Sequence, residues 1–191
     1  MILGITGSIG SGKTTAAKIF SGYHYKIIDA DEIGHKLLED SAIRNKLIKN
    51  FGKKILGKNK NIDRKKLSET VFNSEGKLKK LDSIMHPLIL EEIKKLINKS
   101  KNKNIIVDAP LLLETGADRL VDKVIVVKAF HENIIARNKR FTMEQLEKIS
   151  LRQMGLDQKL KKADFMIDNT GDLEYLEQQV RKIIEKLNQK V

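Results

Sequence analysis

Apolar positions along the 191-residue chain follow two rhythms. Short continuous apolar runs occur at Met1-Ile2-Leu3-Gly4-Ile5-Thr6, Tyr25–Asp29, Ile105–Ala109, Val124–Val127 and Phe165–Ile167. Runs of this length without polar alternation predict strands buried on both faces, as in a parallel sheet. Between them the spacing changes to that of helices. The segment Thr14–Phe20 carries Ala17 and Phe20 among its apolar positions; Ile33, Leu37 and Leu38 share one face, and Ile43, Leu47, Ile48 and Phe51 share the next. Leu67, Val71 and Phe72 follow Asp63, which reads as a helix cap. Leu78, Leu81, Ile84 and Met85 come next, and Pro87 reads as the first-turn proline of a new helix with Leu88, Ile89, Ile93, Leu96 and Ile97. Further helices are predicted over His131–Lys139, over Thr142–Met154 with Thr142 and Gln145 as a capping box, and over Leu173–Leu187.

Strands alternating with helices predict an α/β fold: a five-stranded parallel sheet with helices on both faces. The helical stretch from Glu32 to Lys99 is longer than a crossover between parallel strands requires. It reads as an inserted helical subdomain that holds a second substrate. No internal repeat is present, and low complexity is confined to Lys/Asn loops.

Composition narrows the class. Hydrophobic residues make up 40% of the chain, enough for a real core. No apolar run approaches the ~20 residues of a membrane span, and an N-terminus that is strand and loop leaves no room for a signal peptide. Cysteine is absent, which excludes disulfides and thiolate metal sites and fits a cytoplasmic enzyme. The net charge of +12 raises nucleic-acid binding. However, the lysines are dispersed, and only 5% of residues are aromatic, so no stacking platform is evident. The charge is read as a lysine-rich solvated surface that also attracts polyanionic small substrates, with no nucleic-acid partner.

The sharpest motif is Gly7-Ser8-Ile9-Gly10-Ser11-Gly12-Lys13-Thr14. It fits G-x-x-x-x-G-K-[ST] and lies between a predicted strand and a predicted helix, the order that the phosphate-binding loop requires. Glycines let the backbone bend around a phosphate and aim N–H groups inward, and the helix start adds partial positive charge. Lys13 suits the β- and γ-phosphates of ATP, and the Thr14 hydroxyl suits Mg²⁺.

Phosphoryl transfer then needs an acceptor base, a metal carboxylate and charge neutralisation. Asp31, after the second strand, is the candidate base, expected to face the loop across the crevice; Asp29 is its rival, and an N-cap for a helix from Glu32 is the other role open to Asp31. Asp108 ends the third strand, where a Walker-B aspartate holds Mg²⁺; a solvated strand end is the alternative. Arg137 and Arg140 suit a closing lid over the transferring phosphoryl, unless they form a solvated helix face. His35 and His86 are either substrate contacts or structural, and His86-Pro87 is read as a helix junction. The chain lacks Asn-Lys-x-Asp, and Asp108-Ala109-Pro110-Leu111 lacks the glycine of a GTPase switch, so a small-molecule kinase leads over a P-loop regulator or RNA-binding module.

The assembled marks resemble the dephospho-CoA kinase family. They are Gly4–Thr14, Ile28-Asp29-Ala30-Asp31 with His35, Phe51-Gly52, Arg64 with Leu67, Phe72, His86-Pro87, Pro110-Leu111-Leu112-Leu113-Glu114, Arg137–Arg140, Gln153, Ala163-Asp164 and Ile167–Gly171. The resemblance implies a P-loop three-layer α/β/α fold related to nucleoside monophosphate kinases. It also implies ATP-dependent phosphorylation of the ribose 3′-hydroxyl of dephospho-CoA, the last step of coenzyme A synthesis. It implies a core of 1–31, 104–136 and 163–191, a CoA-binding helical subdomain of about 32–103, and a lid of about 137–162. It implies Asp31 as base; Gly10, Ser11, Gly12, Lys13, Thr14 and Thr15 as the ATP loop; and Arg64, His86 and Glu114 near the acceptor. Arg140 and Asn169 to Gly171 match the lid and the region near the adenine. The chain departs from the family pattern at Thr14, where serine is usual, and at Phe141, where an acidic residue commonly follows the lid arginine. The other readings are a different small-molecule kinase, such as one for a nucleoside monophosphate, and the P-loop regulator or RNA-binding module.

Overall fold

The structure is a computed structural model that describes residues 1–191 except Asn73, Asn102, 130–149, Lys190 and Val191. The expected helix over His131–Lys139, the first part of the helix over Thr142–Met154, and Arg137, Arg140 and Phe141 therefore lie outside the described residues. The chain divides into two compact units: Met1–Asp29 with Ile97–Val191, and Ala30–Leu96.

The first unit holds one sheet of five parallel strands: β1 (Ile2–Gly7), β2 (Lys26–Asp29), β3 (Ile105–Asp108), β4 (Lys123–Lys128) and β5 (Phe165–Asp168). Their order is β2-β3-β1-β4-β5, which puts β1 at the centre. Both of its neighbours run parallel to it, with Ile5 opposite Asp108 on β3 and Gly7 opposite Val127 on β4. The loop that leaves β1 thus starts where the sheet is most buried, at the strand ends that carry ligand sites in open α/β sheets.

Alternate residues of β1 face opposite layers. Leu3 and Ile5 pack with Ala16, Ala17 and Phe20 of α1 (Lys13–Gly22). The same cluster includes Leu176, Val180, Ile183, Ile184 and Leu187 of the closing helix Leu173–Asn188. The Asp172 carboxylate caps that helix by accepting from the Tyr175 N–H. On the other face, a Cβ at Gly4 would meet the Leu112 side chain at 2.6 Å and Val121 at 3.0 Å. That face is covered by the segment after β3, including a 3₁₀ turn at Ala117–Leu120.

The second unit is helical: α2 (Ala30–Leu37), α3 (Ser41–Phe51), α4 (Arg64–Phe72) and most of α5 (Glu75–Lys99). Leu47, Phe51, Ile55, Leu67, Val71, Ile84 and Met85 form its own core. Asp63 caps α4 as expected, accepting from the Lys65 and Lys66 N–H groups.

Two sequence readings need correction. Pro87 does not open a helix and His86-Pro87 is no junction, because α5 runs unbroken through both. A proline at this position removes the N–H that would bond the Ser83 carbonyl. Both Ser83 and Pro87 lie on the exposed face, where water can satisfy that carbonyl, while Ile84, Met85 and Ile93 remain buried on the other. Residues 151–153 form a turn and a bend, and Met154 has no regular structure, rather than a final helical turn. A short helix not anticipated from the periodicity follows them, α6 (Leu156–Leu160); the closing helix Leu173–Asn188 is then α7.

Phe20 is fully buried, with its ring edge-to-face to Tyr25 at 5.6 Å between centroids. Phe20→Ala is expected to destabilise the protein by about 3–5 kcal/mol in urea unfolding. A loss below about 1 kcal/mol would show that this layer of the core does not carry the fold.

Candidate functional site

The loop between β1 and α1 is shaped by glycines at two points where no other residue fits. A Cβ on Gly7 would lie 2.3 Å from the Val127 carbonyl oxygen, a backbone atom that cannot move aside. Gly12 has φ of 89°, in the left-handed region, and a Cβ there would meet the Asn169 amide nitrogen at 2.1 Å. Gly12 also occupies the N-cap position of α1 and supplies no side-chain cap. Among the described residues the start of the helix thus carries no side-chain cap, which is the arrangement that receives anions.

Lys13, the first residue of α1, is 8% exposed. The Ser11 hydroxyl oxygen is buried with no hydrogen-bond partner among the described residues. The Thr14 hydroxyl donates to Asp108 Oδ2 at 2.8 Å. Asp108 is 4% exposed, so this carboxylate is held against the loop and is not a solvated strand end. Asp29 stands opposite Asp108 in the β2–β3 register, giving two carboxylate residues at one sheet edge.

Loops from across the sheet brace the phosphate loop. Asn169 is buried; its side-chain amide donates to the Ser11 carbonyl at 2.8 Å, and its backbone N–H donates to the Lys128 carbonyl at 2.8 Å. Gln153 Oε1 accepts the Ile9 N–H at 3.1 Å. Glu114 Oε1 accepts the Met154 N–H at 2.7 Å and pairs with Lys159 Nζ at 3.0 Å. Burial pushes the Lys159 ammonium below the usual lysine range; the hydrogen bond and charge of Glu114 pull it back up, and the charge of Lys13 pushes it down again.

The structure thus brings Gly10, Ser11, Gly12, Lys13, Thr14, Asp108 and Asn169 together around one loop. Thr15 is exposed and lines an open groove with Lys18, Ile19, Tyr23, Leu173 and Glu177. Gly171 packs against Tyr175, with 2.7 Å between a Cβ placed there and the ring.

The remaining candidates on the acceptor side belong to the helical unit. Asp31 lies in the first turn of α2, which starts at Ala30, so it is not the N-cap of a helix from Glu32. His35, four residues on, shares that face and is exposed. Arg64 is the exposed first residue of α4, and His86 on α5 pairs with Asp82 at 3.4 Å.

Sequence reasoning left Gln153 without a role and passed over Lys159. Lys159 sits in Lys159-Leu160-Lys161-Lys162, and nothing in those letters separates a buried lysine from its solvated neighbours.

As for Mg²⁺, the residues present fit it. Thr14 and Asp108 offer a hydroxyl and a carboxylate oxygen in direct contact, the hard donors it prefers. No cluster of three or more acidic, histidine or cysteine residues able to enclose a metal occurs among the described residues.

Comparison with known proteins places this arrangement. The family model described as dephospho-CoA kinase matches residues 1–174. A dephospho-CoA kinase of Fusobacterium nucleatum is 41% identical over 98% of both chains. One from Aquifex aeolicus is 39% identical over 97% of this chain and 96% of its own length. The solved structure of the dephospho-CoA kinase from Campylobacter jejuni superposes with a TM-score of 0.72 at 34% identity, covering 99% of this chain and 98% of that one. With a five-stranded parallel sheet between helical layers, a phosphate loop on its central strand and these full-length similarities, the chain belongs to the dephospho-CoA kinase family.

Proposed function

We propose that this protein transfers the γ-phosphoryl group of ATP to the ribose 3′-hydroxyl of dephospho-CoA, releasing ADP and coenzyme A. The observation that carries this reading is the family match over residues 1–174 joined to an intact phosphate loop whose Thr14 touches Asp108. No helix among the described residues is long and apolar enough to cross a membrane, which is compatible with a cytoplasmic enzyme.

The residues divide by task. The loop N–H groups from Gly10 to Thr15 and the Lys13 ammonium bind the β- and γ-phosphates and orient the transferring group. Thr14 and Asp108 would hold Mg²⁺, which when bound neutralises charge on the phosphate oxygens. The groove at Thr15 and the turn at Asn169 to Gly171 take the adenosine end of ATP. The helical unit takes dephospho-CoA, with His35, Arg64 and His86 as contacts, and Glu114 of the first unit is a further candidate contact. Asp31 accepts a hydrogen bond from the 3′-hydroxyl and receives its proton as the new P–O bond forms and the bond to the β-phosphate bridge breaks. Arg137 and Arg140 neutralise the charge on the transferring group from the lid.

The test is an ADP-release assay offering dephospho-CoA, AMP, UMP and shikimate side by side. Dephospho-CoA should be turned over with a kcat/KM at least about 100-fold above the others. Preference for any of the other acceptors would overturn the assignment. Lys13→Ala is expected to lower kcat by about 100- to 1000-fold, because no other loop residue supplies a mobile cation. Near-normal turnover in that variant would refute the loop assignment. Asp31→Asn should lower kcat by about 100-fold or more while the KM for ATP stays within about threefold. A change confined to ATP affinity would remove Asp31 from the base role. Asp108→Asn should raise the Mg²⁺ concentration giving half-maximal activity by about tenfold or more. An unchanged Mg²⁺ titration would take Asp108 out of the metal site.

A further inference from the structure

Lys159 is the most unusual ionisable residue in the described structure. Its side chain is completely buried on the five-residue helix α6, where lysine is almost never found unless paired. Its ammonium donates to Thr6 Oγ1 at 3.2 Å and to the Pro110 carbonyl at 2.9 Å, and it pairs with Glu114. The Thr6 hydroxyl in turn donates to the same Pro110 carbonyl at 3.1 Å. One ammonium thus closes a small buried network with all three of its donor directions satisfied.

The position of those partners gives the network its meaning. Thr6 immediately precedes Gly7, where the phosphate loop begins; Pro110 stands two residues after Asp108. The strands β1 and β3 are neighbours, so Lys159 ties together the two chain ends that carry Lys13 and Thr14 on one side and Asp108 on the other. The same segment touches the loop again, because Gln153 takes the Ile9 N–H and Met154 is held by Glu114. A buried ion pair is weak evidence for stability in itself, since an apolar replacement is often as stable. The geometric fixing of the two strand ends is what an apolar residue could not reproduce.

We infer that Lys159 is a positioning residue for phosphoryl transfer, locking the ends of β1 and β3 so that the phosphate loop and Asp108 keep their register on the donor nucleotide. The inference rests on the reading of the loop as the ATP site. Lys159 touches no reacting atom; it acts through Thr6, Pro110 and Glu114.

The test compares the wild-type chain with Lys159→Met and Thr6→Val. Each is assayed for kcat, for the KM of dephospho-CoA and for equilibrium binding of a fluorescent ADP analogue, at a temperature where circular dichroism shows the native fold. Lys159→Met is expected to lower kcat by about 10- to 100-fold and to weaken the nucleotide by about tenfold. Thr6→Val is nearly isosteric, leaves no charge unpaired and suits a strand, so it reports even if Lys159→Met does not fold. It should move kcat and nucleotide affinity in the same direction by about three- to tenfold. A purely structural role would lower the melting temperature but leave the kinetic constants of the folded fraction unchanged. Folded Lys159→Met with wild-type kcat and nucleotide affinity overturns the inference, as does Thr6→Val with both constants unchanged. If the wild-type chain fails to turn over dephospho-CoA, the acceptor assignment falls, and nucleotide affinity alone still decides the role of Lys159.

Discussion

A helix that starts without a side-chain cap sets the terms for this protein. Most helices satisfy their first N–H groups with Ser, Thr, Asp or Asn, and the chain does this elsewhere, with Asp40 on α3 and Asp172 on α7. At α1 the cap position is Gly12 in a left-handed conformation, and the donors stay available at the end of the central strand. Leaving them so is costly unless an anion arrives. The surrounding structure is arranged to tolerate that cost: Asn169 holds the Ser11 carbonyl, Gln153 holds the Ile9 N–H, and Asp108 holds the Thr14 hydroxyl. The loop is therefore shaped before a nucleotide binds, which limits the ordering that binding must impose.

The proposed function assigns one substrate to each unit. The sheet unit carries the groups that suit a triphosphate, and the helical unit carries Asp31, His35, Arg64 and His86 on helices packed around a core of their own. A separate core lets the helical unit vary its helices without disturbing the sheet that shapes the loop. The chain's net charge of +12 serves both halves of such a reaction, because ATP and a CoA precursor are both polyanions drawn by a positive field.

The sheet was legible in the sequence because buried parallel strands leave uninterrupted apolar runs such as Ile105-Ile106-Val107. The loop was legible because its glycines and Lys13-Thr14 are required by local backbone geometry, and Asp63 was legible as a cap for the same reason. Pro87 was misread because the first-turn rule treats proline locally. Whether a mid-helix proline survives depends on which face meets water, and at this position it is the exposed face. Helix α6 is too short for any periodicity to register, and Lys159 is one lysine in a run of them. Its burial is decided by Glu114, Thr6 and Pro110, partners up to 153 residues away. Glu114 has partners that the resemblance did not name. The family pattern puts it toward the acceptor, and the fold gives one of its oxygens to Met154 and Lys159, leaving Oε2 buried with no partner among the described residues.

The proposed function turns on backbone N–H groups at the start of α1 that, with Lys13, would grip the polyphosphate. An amide-resolved NMR titration with ADP addresses it most directly. The largest shifts should fall on the backbone amides of Gly10 to Thr15 and saturate together with the Lys13 side chain. Saturable ADP binding that leaves those amides unmoved would contradict the account.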